Sequence, residues 1–382
     1  MSLLATVTWL IGAAVAHGDV QCHVGGEAGG STPCATLRGV PSIQDRVARL
    51  SHALSAGELV ALLAPMSLLY PSSTPAWAME WDPASREFRV VTAQPAPVFT
   101  ERATTLGAGA LLVGVTYQDV DFQKIDGRDI RKAIVTASSP PYGKQFEFRP
   151  FESVEDIELH QRITMLEATY GLLDRLDLDI VLPIIRTEVG GSSNIFESPD
   201  SGTDHVFVNG SESGVGDLLL RGKWHAVTVG GAALGLELGL RLPSGHQDDL
   251  HGSGSVGVIP AAIVSEQFGP AGIHLEVGVD VDGDHVDDSR ARYRLAGTLH
   301  LLDWLGFTAE IVGSSGLGTR DIHLEGYPTQ IVRPREDVVD GVYEFEVTLF
   351  GRWSGYAGVD VPVTTDGLRP DVAPVVGLTV VF

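Results

Sequence analysis

Five aspartates crowd the stretch from 280 to 288: Asp280, Asp282, Asp284, Asp287 and Asp288, with Gly283 among them. Oxygen ligands at that density are what a hard cation such as calcium takes. The glycine is misplaced for an EF-hand loop, so a plain solvated loop is the competing reading. Cys22 and Cys34 are the only thiols in 382 residues, which excludes thiolate metal clusters and fits one disulfide closed in an oxidising compartment. The chain carries no nucleophile elbow, no glycine-rich phosphate loop followed by lysine and no His-Glu-x-x-His. Neither an enzyme nor a bound cofactor is expected.

The remaining charges fall at alternate positions. Leu234, Leu236, Leu238, Leu240 and Leu242 interleave with Gly235, Glu237, Gly239 and Arg241, and in a strand the two sets point to opposite faces. Asp177 and Asp179 oppose Leu176, Leu178, Ile180, Leu182 and Ile184. His274 and Glu276 oppose Ile273, Leu275, Val277 and Val279. Arg292, Arg294 and His300 oppose Tyr293, Leu295, Leu299 and Leu301, and Glu344 and Glu346 oppose Tyr343, Phe345, Val347 and Leu349. The polar set, together with Asp217, Arg221 and Lys223, would line a wet lumen, with Asp217/Arg221/Lys223 and Glu237/Arg241 as charged pairs. His160, His274 and His300 fall on that lumen-facing set, as hydrogen-bonded fillers; a lipase built into such a wall would need its Ser and His outside.

A soluble sandwich also alternates, so segment length and spacing have to decide. About twelve segments repeat near 106–122, 153–170, 175–188, 214–228, 232–242, 253–266, 271–281, 290–302, 305–314, 337–350, 354–363 and 371–382. Most reach the roughly 9–11 residues of a tilted membrane strand, whereas sandwich strands cluster near about 5–6. Connections alternate between tight turns (171–174, 230–231, 269–270, 303–304 and 354–355) and longer loops (123–152, 189–213, 243–252, 282–289, 315–336 and 364–370). Outer-membrane barrels sort their loops in this way, with short periplasmic turns and long external loops. Tyr170, Trp224, Phe268, Trp304, Phe307, Trp353 and Tyr356 collect beside the short turns, as an interfacial girdle would. The last apolar face ends on Phe382. The expected fold is an all-β transmembrane antiparallel barrel over 106–382.

The N-terminal part differs. Residues 1–16 form an apolar run closed by Ala14-Val15-Ala16, which reads as a secretory signal without a basic n-region; a buried helix is the alternative. Residues 17–105 read as a plug or periplasmic segment. A helix near 42–56 has Ser42 as N-cap and Ile43, Val47, Leu50 and Leu54 as its stripe, and the prolines from Pro65 to Pro97 bar long regular elements after it. With 26 Lys+Arg against 49 Asp+Glu the net charge is -23, which repels phosphate backbones and removes nucleic acid as a partner.

Three stretches carry a resemblance: Phe99-Thr100-Glu101-Arg102-Ala103-Thr104-Thr105-Leu106-Gly107 with Val113-Gly114-Val115-Thr116-Tyr117-Gln118 and Asp126-Gly127; Ser213-Gly214-Val215-Gly216-Asp217-Leu218-Leu219-Leu220-Arg221-Gly222-Lys223 with Arg241-Leu242-Pro243-Ser244-Gly245; and Gly367-Leu368-Arg369-Pro370-Asp371-Val372-Ala373-Pro374. From about residue 42 onward the chain resembles outer-membrane transporters of phenol meta-pathway degradation, distantly FadL-like. The resemblance implies a bacterial outer membrane location and uptake of small hydrophobic or aromatic compounds. Its motifs are turns and strand starts, so it supplies no substrate residues. The expected partners are outer-membrane lipid, such a solute, and the barrel-assembly machinery during insertion. The alternative is a structural or surface-binding barrel with a closed lumen.

Overall fold

The computed structural model describes residues 69–74, 77–82, 87–93, 95–139, 149–196, 203–284, 286–318, 320–322, 331–333, 337–349 and 352–382. The expected signal, the Cys22–Cys34 disulfide and the 42–56 helix lie outside these residues. Twelve antiparallel strands close on themselves: β1 (Leu111–Ile125), β2 (Arg149–Leu173), β3 (Leu176–Phe196), β4 (Leu218–Val229), β5 (Ala232–Leu242), β6 (Gly257–Phe268), β7 (Ala271–Asp282), β8 (Arg290–Leu302), β9 (Leu305–Gly316), β10 (Asp337–Leu349), β11 (Trp353–Pro362) and β12 (Ala373–Val381). Each pairs with its neighbour in the chain, and β12 returns to β1 with Val381 opposite Leu112, so no barrel strand is left as an edge. Among the described residues no helix is long and apolar enough to cross a membrane, which says nothing of crossing by strands.

Every β1–β2 type connection runs long and every β2–β3 type connection runs short. One of the two-residue turns, Gly230–Gly231, has φ of +61° and +103° at its two residues; such a turn needs residues without a Cβ penalty at positive φ, and its twist matches the strands it joins. The structure departs from the expected boundaries at several points, among them Ala133–Ser139, a strand within the expected loop 123–152, and Ser354-Gly355, an expected turn that lies within β11. β1 starts at Leu111, because 106–110 belong to the chain entering from the barrel interior. β3 runs on through the stretch read as loop, and Thr203–Val215 forms a further strand along it, Val215 opposite Ile184. Leu368–Pro370 adds a short strand against the end of β1.

Outward-facing side chains of the middle and short-turn half are apolar and exposed. On β5, Leu234, Leu236, Leu238 and Leu240 are all exposed, while Glu237 between them is buried. Tyr170, Trp224, Phe268, Trp304 and Trp353 ring the short-turn end, and Phe307 packs against Phe345 with ring centroids 5.1 Å apart and ring planes tilted by 50°. Tyr356 departs from the girdle. It stands three residues from Trp353, and an odd separation on a strand puts two side chains on opposite faces, so Tyr356 turns inward and its hydroxyl meets Thr116.

Candidate functional site

The interior of the short-turn half is a polar belt built by strand parity. Asp177 and Asp179 come from β3, Arg221 and Lys223 from β4, Glu237 from β5, His274 and Glu276 from β7, Arg294 from β8, Glu310 from β9, and Glu344 and Glu346 from β10; all are buried. Buried charge is tolerable only when paired and hydrogen-bonded. The partner comes from outside the strands. Glu101, 0% exposed, accepts from Arg221 Nη1 at 2.8 Å, Lys223 Nζ at 3.0 Å and the Ser73 backbone N–H at 2.6 Å. Arg221 also donates to Asp179 at 2.6 Å, which accepts the Thr169 hydroxyl at 2.8 Å.

On the opposite wall the carboxylates accept mainly from backbone, with Arg102 beside Glu346. Glu310 accepts the N–H groups of Val98 (2.7 Å), Phe99 (3.1 Å) and Thr100 (2.7 Å); Glu344 shares the Val98 N–H, and Glu346 accepts that of Ala96 at 2.8 Å. The segment then crosses the bore. The Glu101 N–H reaches Glu276 at 3.1 Å, the Ala103 N–H reaches Ser265 Oγ at 3.0 Å, and the Leu106 N–H reaches Asp177 at 2.9 Å. Residues 95–106 therefore run from β9 and β10 to β3, a path between walls six strands apart. An extended segment with no sheet of its own leaves its N–H groups orphaned, and inward carboxylates satisfy them.

The charged pairs expected within single strands do not form. Arg221 and Lys223 turn to Glu101, and Arg241 pairs with Asp280 at 3.1 Å and Asp282 at 3.5 Å, leaving Glu237 aside. Same-face residues two or four apart on a strand are separated by about 7 or 13 Å, while groups on neighbouring strands or on the inner segment come much closer. Asp217 points to a loop described below. Arg292 lies half-buried on the same inward row as Arg294, and Arg294 donates to Glu276 at 3.3 Å. His274 Nδ1 is 2.9 Å from Ser265 Oγ, and His300 is half-buried at the short-turn end of β8.

His160 is a correction. It faces outward, 2.5 Å from Asp119, because its neighbours Leu159 and Gln161 take the inward positions. The aspartate loop is knitted to the protein: Arg241 holds Asp280 and Asp282, and the Asp284 N–H donates to Asp282 at 3.1 Å. Among the described residues no group of three or more His, Cys, Asp or Glu is placed to hold a metal ion.

The long-loop half of the interior reverses its chemistry. Val120, Phe122, Ile157, Leu159, Ile163, Met165, Val181, Ile185, Val189, Leu219 and Ile259 form one buried apolar cluster inside the wall from β1 to β4 and β6. Leu250, from the loop 243–256, and Tyr70 join it. His251 beside Leu250 is 3% exposed, and burial pushes its imidazole down to about 4, with Asp249 opposing and His246 adding to the shift. Sequence reasoning missed Glu101, Glu310 and this apolar lining. Parity carried the signal for the last two, since Thr308 and Glu310 alternate with Phe307 and Ala309, and Ile157, Leu159 and Ile163 alternate with Glu158, His160 and Arg162. Nothing local marked Glu101.

Comparison with known proteins adds the fold. No protein-family model matches the chain, and no curated protein matches it. Among solved structures, an outer membrane channel from Pseudomonas putida F1 is similar at TM-score 0.50 and 15% identity, over 73% of this chain and 98% of that one. A Ralstonia pickettii toluene transporter is similar at TM-score 0.37 and 7% identity, over 72% and 90%. A FadL homologue of Pseudomonas aeruginosa is similar at TM-score 0.33 and 9% identity, over 72% and 90%.

Proposed function

We propose that this protein is a channel of the bacterial outer membrane that admits small hydrophobic or aromatic compounds. The observation that carries the reading is the two-part interior: a closed barrel with an apolar outer band whose long-loop half is lined inside by aliphatic and aromatic side chains. An apolar solute gains free energy for each square ångström of apolar surface it removes from water, so an apolar zone inside the barrel favours the entry of such a solute over that of a hydrated one. The long-loop end would then face outside and the short turns the periplasm. The solved barrel from Pseudomonas putida F1, itself an outer membrane channel, supports the reading through its shared fold. Membrane lipid would cover the band, and the barrel-assembly machinery would insert the strands.

A second reading, a structural barrel with a closed lumen, draws on one observation: residues 95–106 cross the bore on buried ion pairs and hydrogen bonds. Liposome swelling separates the two. Protein reconstituted in liposomes is exposed to methyl glucoside and to phenyl glucoside, neither of which crosses lipid readily. A channel of the proposed kind swells the liposomes with both and favours phenyl glucoside despite its size. Folded protein that passes neither sugar establishes the closed barrel.

A further inference from the structure

The strand that precedes β4 breaks at Gly216 and Asp217, opposite Pro183, and the break is fastened to two other parts of the molecule. The Asp217 carboxylate accepts the Gly245 N–H at 3.1 Å, the Ser253 N–H at 2.7 Å and the Ser253 hydroxyl at 2.6 Å. Ser244 Oγ donates to the Gly216 carbonyl at 2.7 Å and accepts the Leu218 N–H at 2.9 Å. The Asp217 carbonyl accepts the Tyr70 hydroxyl at 3.1 Å. One residue thus holds the loop 243–256 with its side chain and Tyr70, from the stretch 69–74, with its backbone.

The tip of the loop, Leu250 and His251, lies inside the barrel. A Cβ on Gly214, which would share the inward face with Ile185, would meet the His251 ring at 2.9 Å, and one on Gly252 would meet Asp217 Oδ1 at 2.4 Å. Only glycine leaves room for so close a seat. At the loop tip Leu250 has φ +60°. A leucine rarely adopts that left-handed conformation, and it persists only where surrounding contacts over-determine it. Those contacts are the apolar cluster that also receives Leu250, and Gln161, whose Nε2 donates to the Leu250 carbonyl at 3.1 Å and to Thr187 Oγ1 at 3.0 Å. A surface loop would normally hold its polar backbone in water. This one places an aliphatic tip against the interior wall.

We propose that residues 243–256 form a second, apolar constriction of the barrel, with Leu250 and Tyr70 as the side chains that select among solutes and Asp217 as the positioning residue. The inference rests on the channel reading and adds to it where selection is made: solutes with an aromatic or aliphatic surface can replace the contacts Leu250 and Tyr70 make with the wall, and hydrated sugars cannot.

Three variants test it in protein carrying Cys22→Ser and Cys34→Ser. Asp217→Ala removes the clasp, Gly252→Val pries the loop from its own side without altering a barrel strand, and Leu250→Asn keeps the left-handed seat while making the tip polar. Methyl glucoside and phenyl glucoside report flux, and maleimide labelling of Thr187→Cys, behind the loop, reports seating. Asp217→Ala and Gly252→Val should raise labelling at least tenfold and the methyl glucoside rate at least threefold. Leu250→Asn should leave labelling slow and lower the phenyl-to-methyl rate ratio at least threefold. Faster labelling with unchanged flux, slow labelling in both clasp variants, or an unchanged ratio in Leu250→Asn would each overturn the constriction while wild-type flux upholds the channel. Loss of flux in every version, wild type included, removes the channel reading and this inference with it.

Discussion

Along β1, β2 and β3 the alternation of side chains never changes, but its chemistry inverts partway up. Toward the short turns, Val113, Leu166 and Ile180 face out while Thr116, Glu167 and Asp179 face in. Toward the long loops, Asp119, His160 and Glu188 face out, and Val120, Leu159 and Val189 face in. Geometry is the same in both zones, so the difference lies in the medium. Lipid against the lower zone rewards an apolar exterior and leaves polar groups the interior; water around the upper zone permits charge outside and lets the interior hold an apolar core. Ion pairs follow suit. Those of the lower zone are buried around Glu101; in the upper zone the outward pairs, Arg186 with Glu188 and Arg131 with Asp121, stand in solvent, while the inward pairs, Arg241 with Asp280 and Arg369 with Asp340, are largely buried.

The largest effect should come from the buried ion pairs. Glu101→Ala leaves Arg221 without one of its two carboxylates and Lys223 without its carboxylate, and should cost about 3–5 kcal/mol in urea unfolding of the reconstituted barrel. A cost below about 1 kcal/mol would mean that water already reaches the belt. Next, Leu236→Arg on the lower exterior should cost about 2–4 kcal/mol, whereas Glu158→Leu on the upper exterior should stay within about 0.5 kcal/mol. Equal costs would abolish the two-zone distinction.

A smaller effect should appear with pH. His251 is buried neutral, its imidazole held near 4 in the folded protein against an ordinary value near 6.5. Its contribution is complete above about pH 6.5 and declines as pH falls toward 4, reaching a loss of about 2 kcal/mol at pH 5. Protection factors of the amides of 246–253, taken against intrinsic exchange at each pH, should fall over that interval, and His251→Phe should flatten the dependence. Asp249 opposes the shift and His246 adds to it. Glu188→Gln removes the exposed pairs with Arg162 and Arg186, and should change stability by less than about 1 kcal/mol.

The barrel was legible because a strand writes its two faces into every second residue. Ten or so positions of period two, bounded by turns of alternating length, admit one closed antiparallel sheet, and the run from Leu234 to Arg241 determined both faces of β5 without reference to anything distant. Parity could likewise have told Tyr356 from Trp353. What parity cannot encode is which inward groups meet. The pairing of Arg221 and Lys223 with Glu101 joins residues more than a hundred positions apart, and the segment that carries Glu101 has no repeat of its own, since its N–H groups are satisfied by carboxylates of strands far along the chain. The inward loop escaped for the same reason: Asp217 looks like one more lumen charge until folding brings Gly245 and Ser253 to it. Local alternation is a property of each strand's own covalent geometry, so the sequence alone determined the wall. The contents of the wall depend on distances across the bore, and those exist only once the sheet has closed.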